Sequence, residues 1–108
     1  MVNISEIARY LQSLLLAKGI KVQELILFGS YATGSPSEDS DIDLALVSPS
    51  FNGNDLYERA EMVAAPVAKT IWEFNIPIDL ITLTPEEYSN KDKLITASLE
   101  NGKKLIFN

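Results

Sequence analysis

The chain contains no cysteine and no histidine. The first absence excludes disulfides, thiolate metal sites and a cysteine nucleophile; the second excludes an imidazole base and imidazole ligands. Any metal held here must be a hard cation bound through oxygen. Long apolar runs are missing too. The start, "MVNISEIARYLQSLLLAKG", has spaced apolar residues and no basic cluster, so neither a signal peptide nor a membrane span is expected, and a cytoplasmic protein is. Positive charge is scarce: 15 Asp and Glu stand against 9 Lys and Arg, a net charge of −6. That balance repels phosphodiester backbones and disfavours broad nucleic-acid binding, while it suits a protein that concentrates cations.

What is present reads as a globular chain. Its 108 residues, 46% of them apolar, fit a single domain over residues 1–108. Ile4, Ile7, Leu11, Leu14 and Leu15 recur at helical spacing, with Asn3 or Ser5 as cap and Gly19 as stop, which predicts a helix over 5–18. "VQELILF" predicts a strand ending at Gly29. The loop "SYATGSPSEDS" opens with a possible helical turn at Ser30, and "DIDLALVS" predicts a second strand. Leu56, Ala60, Val63, Val67, Ile71 and Phe74 predict a helix that Pro66 should kink or split in two, with Trp72 and Phe74 packed into the core. "IPIDLITLT" predicts a third strand. "PEEYSNKDKLITASLENG" predicts a helix capped by Thr84, with Pro85 in its first turn and Gly102 at its end, and "KKLIF" a last short strand. The long helix suits a crossover between parallel second and third strands, and the loop before it suits an antiparallel first pair. The expected fold is α/β (α+β), a small mixed sheet packed by helices.

The chemistry concentrates at the strand mouths. Residues two apart on a strand share a face, so Asp41 and Asp43 project together while Ile42 and Leu44 face away. Two carboxylates so placed repel and raise one another's pKa unless a divalent cation joins them. If the second and third strands are parallel neighbours, Asp79 stands beside Asp43, and three carboxylates without histidine or cysteine form the ligand set of Mg²⁺. If the first strand is antiparallel, Gly29 and Ser30 emerge at the same edge. Glycine lets a backbone approach a phosphate, and Ser30 offers a hydroxyl and an N–H. Cation ligands beside a phosphate cradle point to two-metal phosphoryl or nucleotidyl transfer.

Gly29-Ser30, ten intervening residues and then Asp41-Ile42-Asp43 resemble the signature of the DNA polymerase β-like nucleotidyltransferase superfamily. The aspartate of "PIDLIT", Asp79, resembles its third carboxylate, and "FGSYATG" is most similar to the minimal nucleotidyltransferases of bacteria and archaea. The resemblance implies two Mg²⁺ ions held by Asp41, Asp43 and Asp79, with Gly29 and Ser30 on the nucleoside triphosphate. It implies attack of a hydroxyl on the α-phosphorus with loss of pyrophosphate. It also implies pairing with a HEPN-domain toxin, and an antitoxin role that in some members consists of moving AMP from ATP to a toxin tyrosine. The chain departs from the pattern at Thr33, where many members carry a basic residue. Two other readings compete: an antitoxin that neutralises by binding alone, and a Mg²⁺-binding regulatory domain phosphorylated on aspartate, which requires an all-parallel sheet. Tyr31 either packs under the loop or borders the nucleotide. So small a domain suggests that a homodimer or hetero-oligomer completes the pocket.

Overall fold

A computed structural model describes residues 2–36, 40–90, 99 and 102–105. Helix α1 (Ile4–Ala17) begins at Asn3, whose side chain accepts a hydrogen bond from the Glu6 N–H at 3.0 Å. Strand β1 (Glu24–Phe28), the single turn α2 (Ser30–Thr33) and strand β2 (Ile42–Val47) follow. A 3₁₀ turn (Pro49–Phe51) leads to α3 (Leu56–Phe74), then β3 (Ile78–Leu83), α4 (Pro85–Ser89) and β4 (Lys103–Lys104). The sheet order is β3-β2-β1-β4, with β1 antiparallel to β2 and β4 and β2 parallel to β3. This is the mixed sheet the sequence predicts. The antiparallel β1–β2 pair removes the all-parallel layout of an aspartate-phosphorylated regulatory domain.

The two sheet faces divide the core. On one, Ile7, Leu11 and Leu15 of α1 and Val63 of α3 pack over Leu25, Leu27, Ile42, Leu44 and Leu46. On the other, Ile26, Ala45, Val47, Leu83 and Leu99 form a smaller cluster. β2 is therefore buried from both sides, its apolar residues being at most 1% exposed. Each buried Leu, Ile or Val contributes about 1.5–3 kcal/mol relative to exposure, which anchors β2 as the rigid centre of the molecule.

Helix α3 is one helix through Pro66, not the two abutting helices that were the alternative to a kinked one. Proline has no N–H to give the carbonyl one turn back, here that of Met62. Lys18, just past α1, donates its ammonium to that carbonyl at 2.9 Å. The Thr70 hydroxyl donates to the Pro66 carbonyl at 2.7 Å. A tertiary contact thus replaces the missing local bond. Phe74 packs edge-to-face on Tyr10 with ring centroids 5.4 Å apart, but Trp72 is 87% exposed, contrary to the expectation of core packing. At 100° per residue, Trp72 falls on the side of α3 turned away from α1 and the sheet.

Helix α4 carries the capping box of Thr84 and Glu87. The rest of the helix expected there, residues 91–98 and 100–101, and the end of the last strand, 106–107, lie outside the described residues. At Gly102, the expected helix stop, the chain passes close to β1: a Cβ there would stand 2.6 Å from Ile26 Cγ2. No helix among the described residues is long and apolar enough to cross a membrane.

Candidate active site

The register of β2 decides what stands together at one rim of the sheet. Phe28, the last residue of β1, lies opposite Asp43, and Asp43 lies level with Asp79 across the parallel pair. Residues level on adjacent strands share a face at the interstrand spacing of ~4.8 Å. Asp43 and Asp79 are therefore held side by side by backbone hydrogen bonds, including Ile42 N–H to the Pro77 carbonyl at 2.9 Å. Ile42 and Ile78, one residue earlier, are buried on the opposite face and lock that register, since a slip by one would expose them. Asp41 precedes β2 and is exposed, Asp79 is exposed, and Asp43 is half-buried.

Gly29 closes over this pair. Its φ of 72° and ψ of −158° belong to glycine alone among ordinary residues. A Cβ at Gly29 would overlap the Asp43 carboxylate oxygen Oδ2 and stand 3.0 Å from its Cγ. The β1–α2 turn thus rests directly on the carboxylate, and only a residue without a side chain fits. After it, α2 makes one turn: the N–H groups of Ala32 and Thr33 donate to the Gly29 carbonyl at 3.1 and 3.3 Å. The first N–H groups of the turn, those of Ser30 and Tyr31, have no carbonyl one turn back within the helix. Tyr31 is half-buried and packs against the larger core cluster. Thr33, exposed, donates its hydroxyl to the Ser30 carbonyl at 3.1 Å.

Burial raises the Asp43 carboxyl above its ordinary value, and the charges of Asp79 and then Asp41 raise it further. The rim is thus an electrostatic demand for a cation. Its donors are carboxylate oxygens, the chemistry of Mg²⁺ rather than of a soft metal. Among the described residues no three acidic side chains are gathered closely enough to hold an ion. Asp41, Asp43 and Asp79 share a rim without forming a ready cage, as mutual repulsion of like charges favours.

A second charged site went unread in the sequence. Arg59 of α3 is buried and grips Glu87 of α4 through two hydrogen bonds, at 2.7 and 3.3 Å, and its Nε donates to the Asn54 carbonyl at 2.9 Å. Burial pushes Glu87 upward, but the hydrogen bonds from Arg59 and Thr84 and the Arg59 charge outweigh it, so its carboxyl lies below the ordinary value. The available signal was an arginine on the apolar side of a predicted helix, which needs an acid from elsewhere.

A mixed sheet with a glycine turn seated on paired aspartates sets the class: an α/β domain with an acidic rim at one sheet edge. The family model described as a nucleotidyltransferase domain matches residues 4–105, and the chain belongs to that family. The search of curated proteins returned no match. Among solved structures, the fold is similar to that of a protein from Sulfolobus solfataricus assigned as a nucleotidyltransferase, with TM-score 0.67, 20% identity, and 94% of this chain and 78% of that chain covered. It is also similar to a variant of the toxin–antitoxin MntA–HpeT, with TM-score 0.63, 23% identity, and 99% and 75% covered. A toxin–antitoxin structure with AMP-PNP gives TM-score 0.63, 24% identity, and 98% and 75% covered. At these identities the likeness concerns the fold.

Proposed function

We propose that residues 1–108 form one nucleotidyltransferase domain that moves AMP from ATP to a protein hydroxyl, a tyrosine of a HEPN-type toxin, and so acts as a cytoplasmic antitoxin. The observation that carries the reading is the Gly29 turn seated on Asp43, with Asp79 in register beside it. The toxin–antitoxin neighbours, one of them with an ATP analogue, support the choice of nucleotide and partner.

In this reading Asp41, Asp43 and Asp79 would hold two Mg²⁺ ions. When bound, such ions neutralise the triphosphate and lower the pKa of the acceptor hydroxyl. Asp43, fixed between two strands, would set the position of the site, with Asp79 level beside it and Asp41 two residues before it. Gly29 lets the backbone reach the phosphates, and Ser30 donates from its hydroxyl and N–H. The acceptor oxygen bonds to the α-phosphorus as the bond to the bridging oxygen breaks, and pyrophosphate leaves in line. The test is transfer of α-labelled ATP to a co-expressed HEPN protein in Mg²⁺, with the label mapped by mass spectrometry. Failure to label any protein with any divalent metal would sink the proposal.

One observation favours a second reading, neutralisation by binding alone: α2 carries no charged side chain, and Thr33 stands where the resemblance leads one to look for a base. In that case Asp43→Asn leaves toxin neutralisation intact. In the transferase reading the same change abolishes it.

A further inference from the structure

The register that sets Asp79 level with Asp43 reaches one strand further. Phe28 lies opposite Asp43 on β1, so Phe28, Asp43 and Asp79 form one row across three strands. Such residues share a face, and on an antiparallel pair their Cβ atoms stand ~4.5–5.5 Å apart. Behind this row on the same face come Ile26, Ala45 and Ile81, and then Glu24, Val47 and Leu83. Of the three rows, only the one at the rim sets an aromatic ring beside a pair of carboxylates.

Packing on the sheet does not by itself call for that ring. Phe28 is half-buried and lies against the smaller core cluster, whose buried members Ile26, Ala45, Val47, Leu83 and Leu99 are all aliphatic. Phe28 also leads directly into Gly29, where a Cβ would overlap Asp43 Oδ2. The ring is therefore one residue from the turn that can meet a phosphate and one strand from the carboxylate that can meet its cation. A ligand that fills the row is anionic over Gly29, Asp43 and Asp79, and flat and apolar over Phe28. A nucleoside triphosphate has both parts; a triphosphate without a base has only the first.

We infer that Phe28 is a specificity-determining residue of this site: its ring stacks on the base of the bound nucleoside triphosphate and so selects nucleotides over triphosphates that lack a base. This role rests on the nucleotidyltransferase reading of the Asp43 rim and adds the part of the substrate that lies beyond the phosphates. Every base offers a π-face to an aromatic ring, so Phe28 selects the class of substrate rather than one base.

The test is isothermal titration of the full chain with ATP and, separately, with ribose 5-triphosphate, each in Mg²⁺ and without any acceptor. The parent should bind ATP the more tightly. Phe28→Leu keeps an apolar side chain on the core cluster and should weaken ATP about tenfold, with ribose 5-triphosphate within about twofold of the parent. Phe28→Tyr keeps the ring and should hold ATP within about twofold. Asp43→Asn should weaken both ligands. A purely structural role for Phe28 would move both ligands together or neither, and either result in Phe28→Leu overturns the inference. So does a loss of ATP binding in Phe28→Tyr as large as that in Phe28→Leu. A direct reading comes from Phe28→Trp with Trp72→Phe, which leaves a single indole in the chain. ATP should quench its fluorescence and ribose 5-triphosphate should not; equal or absent quenching overturns the stacking contact. A parent that binds both ligands equally tightly leaves the reading of the rim in place and overturns the role of Phe28. A parent that binds neither fails at the rim itself, and the role of Phe28 falls with it.

Discussion

Asp43 and Glu87 start from the same position and end apart. Each is a half-buried carboxylate whose largest perturbation is burial, and burial raises both. Glu87 meets a guanidinium in two-pronged contact and accepts from the Thr84 backbone N–H, and its carboxyl falls below the ordinary value. Asp43 meets Asp79 and Asp41, and its carboxyl rises. The chain supplies its own cation at the first place, where α3 and α4 have to be tied together. At the second it lays like charges side by side on its most rigid strand. Burial and repulsion both act against the charged form there, so stability alone does not account for the arrangement.

Replacing Asp43 is the strongest way to break the contrast. Asp43→Asn should reduce nucleotidyl transfer by more than ~100-fold, beyond what outer-sphere partners of a metal typically cost. In divalent-free buffer the same variant should melt no lower than the parent, because it removes a desolvated charge beside two like charges. A variant that keeps activity within a few-fold, measured with labelled ATP, would contradict the assignment.

The opposite change at the satisfied site should cost stability and leave the rim's chemistry in place. Arg59→Met strands a partly buried carboxylate and is expected to destabilise by about 1–3 kcal/mol in urea unfolding. The pH dependence has a definite sign. Glu87 is lowered in the folded state, so its stabilising contribution is full above its ordinary value of 4.5 and is lost as pH falls through the folded value below it. Arg59→Met should flatten that acid-side loss; an unchanged acid profile would show that the pair is not its source.

Two glycines sharpen the argument about the rim. Gly29 and Gly34 both have positive φ, 72° and 78°, but a Cβ at Gly34 has no atom within 4 Å, whereas one at Gly29 collides with Asp43. Gly34→Ala should cost only the conformational term, about 1 kcal/mol. Gly29→Ala should cost more and should also lower nucleotide affinity, as read by a nucleotide-plus-Mg²⁺ thermal shift. Equal effects at the two positions would mean that the turn does not press on the carboxylate in solution.

The smallest expected effect tests how α3 survives Pro66. Lys18→Met removes the donor to the Met62 carbonyl and should cost about 0.5–1 kcal/mol. Pro66→Ala supplies the N–H locally and should make the Lys18 change nearly neutral. Additivity of the two would show that the cost at Lys18 does not come from the carbonyl that Pro66 leaves unpaired.

Much of this was legible in one dimension. The strand runs, the Asn3 and Thr84 caps, the glycine-serine turn and the spaced aspartates are local patterns, and local backbone geometry reads them directly. The same-face relation of Asp41 and Asp43 follows from strand periodicity alone. Other features depended on what arrives from far along the chain. Pro66 reads as a break, but Lys18 reaches its orphan carbonyl from 44 positions before Met62. Trp72 reads as core, but which side of a helix faces inward is settled only when α1 and the sheet dock against it. Arg59 has no partner until α4 folds back to bring Glu87.

The order of residue types along the chain thus determined that any metal would meet oxygen donors, and which strand carries the paired aspartates, because the absence of cysteine and histidine and the two-residue period are properties of the chain itself. Tertiary structure alone decided that Asp79 stands level with Asp43, that Gly29 closes on that pair, and that Trp72 of α3 is exposed. Each of these depends on the parallel register of β2 with β3 and on helix docking, and such long-range pairings are set by burial of Ile42 and Ile78 rather than by any neighbour in sequence.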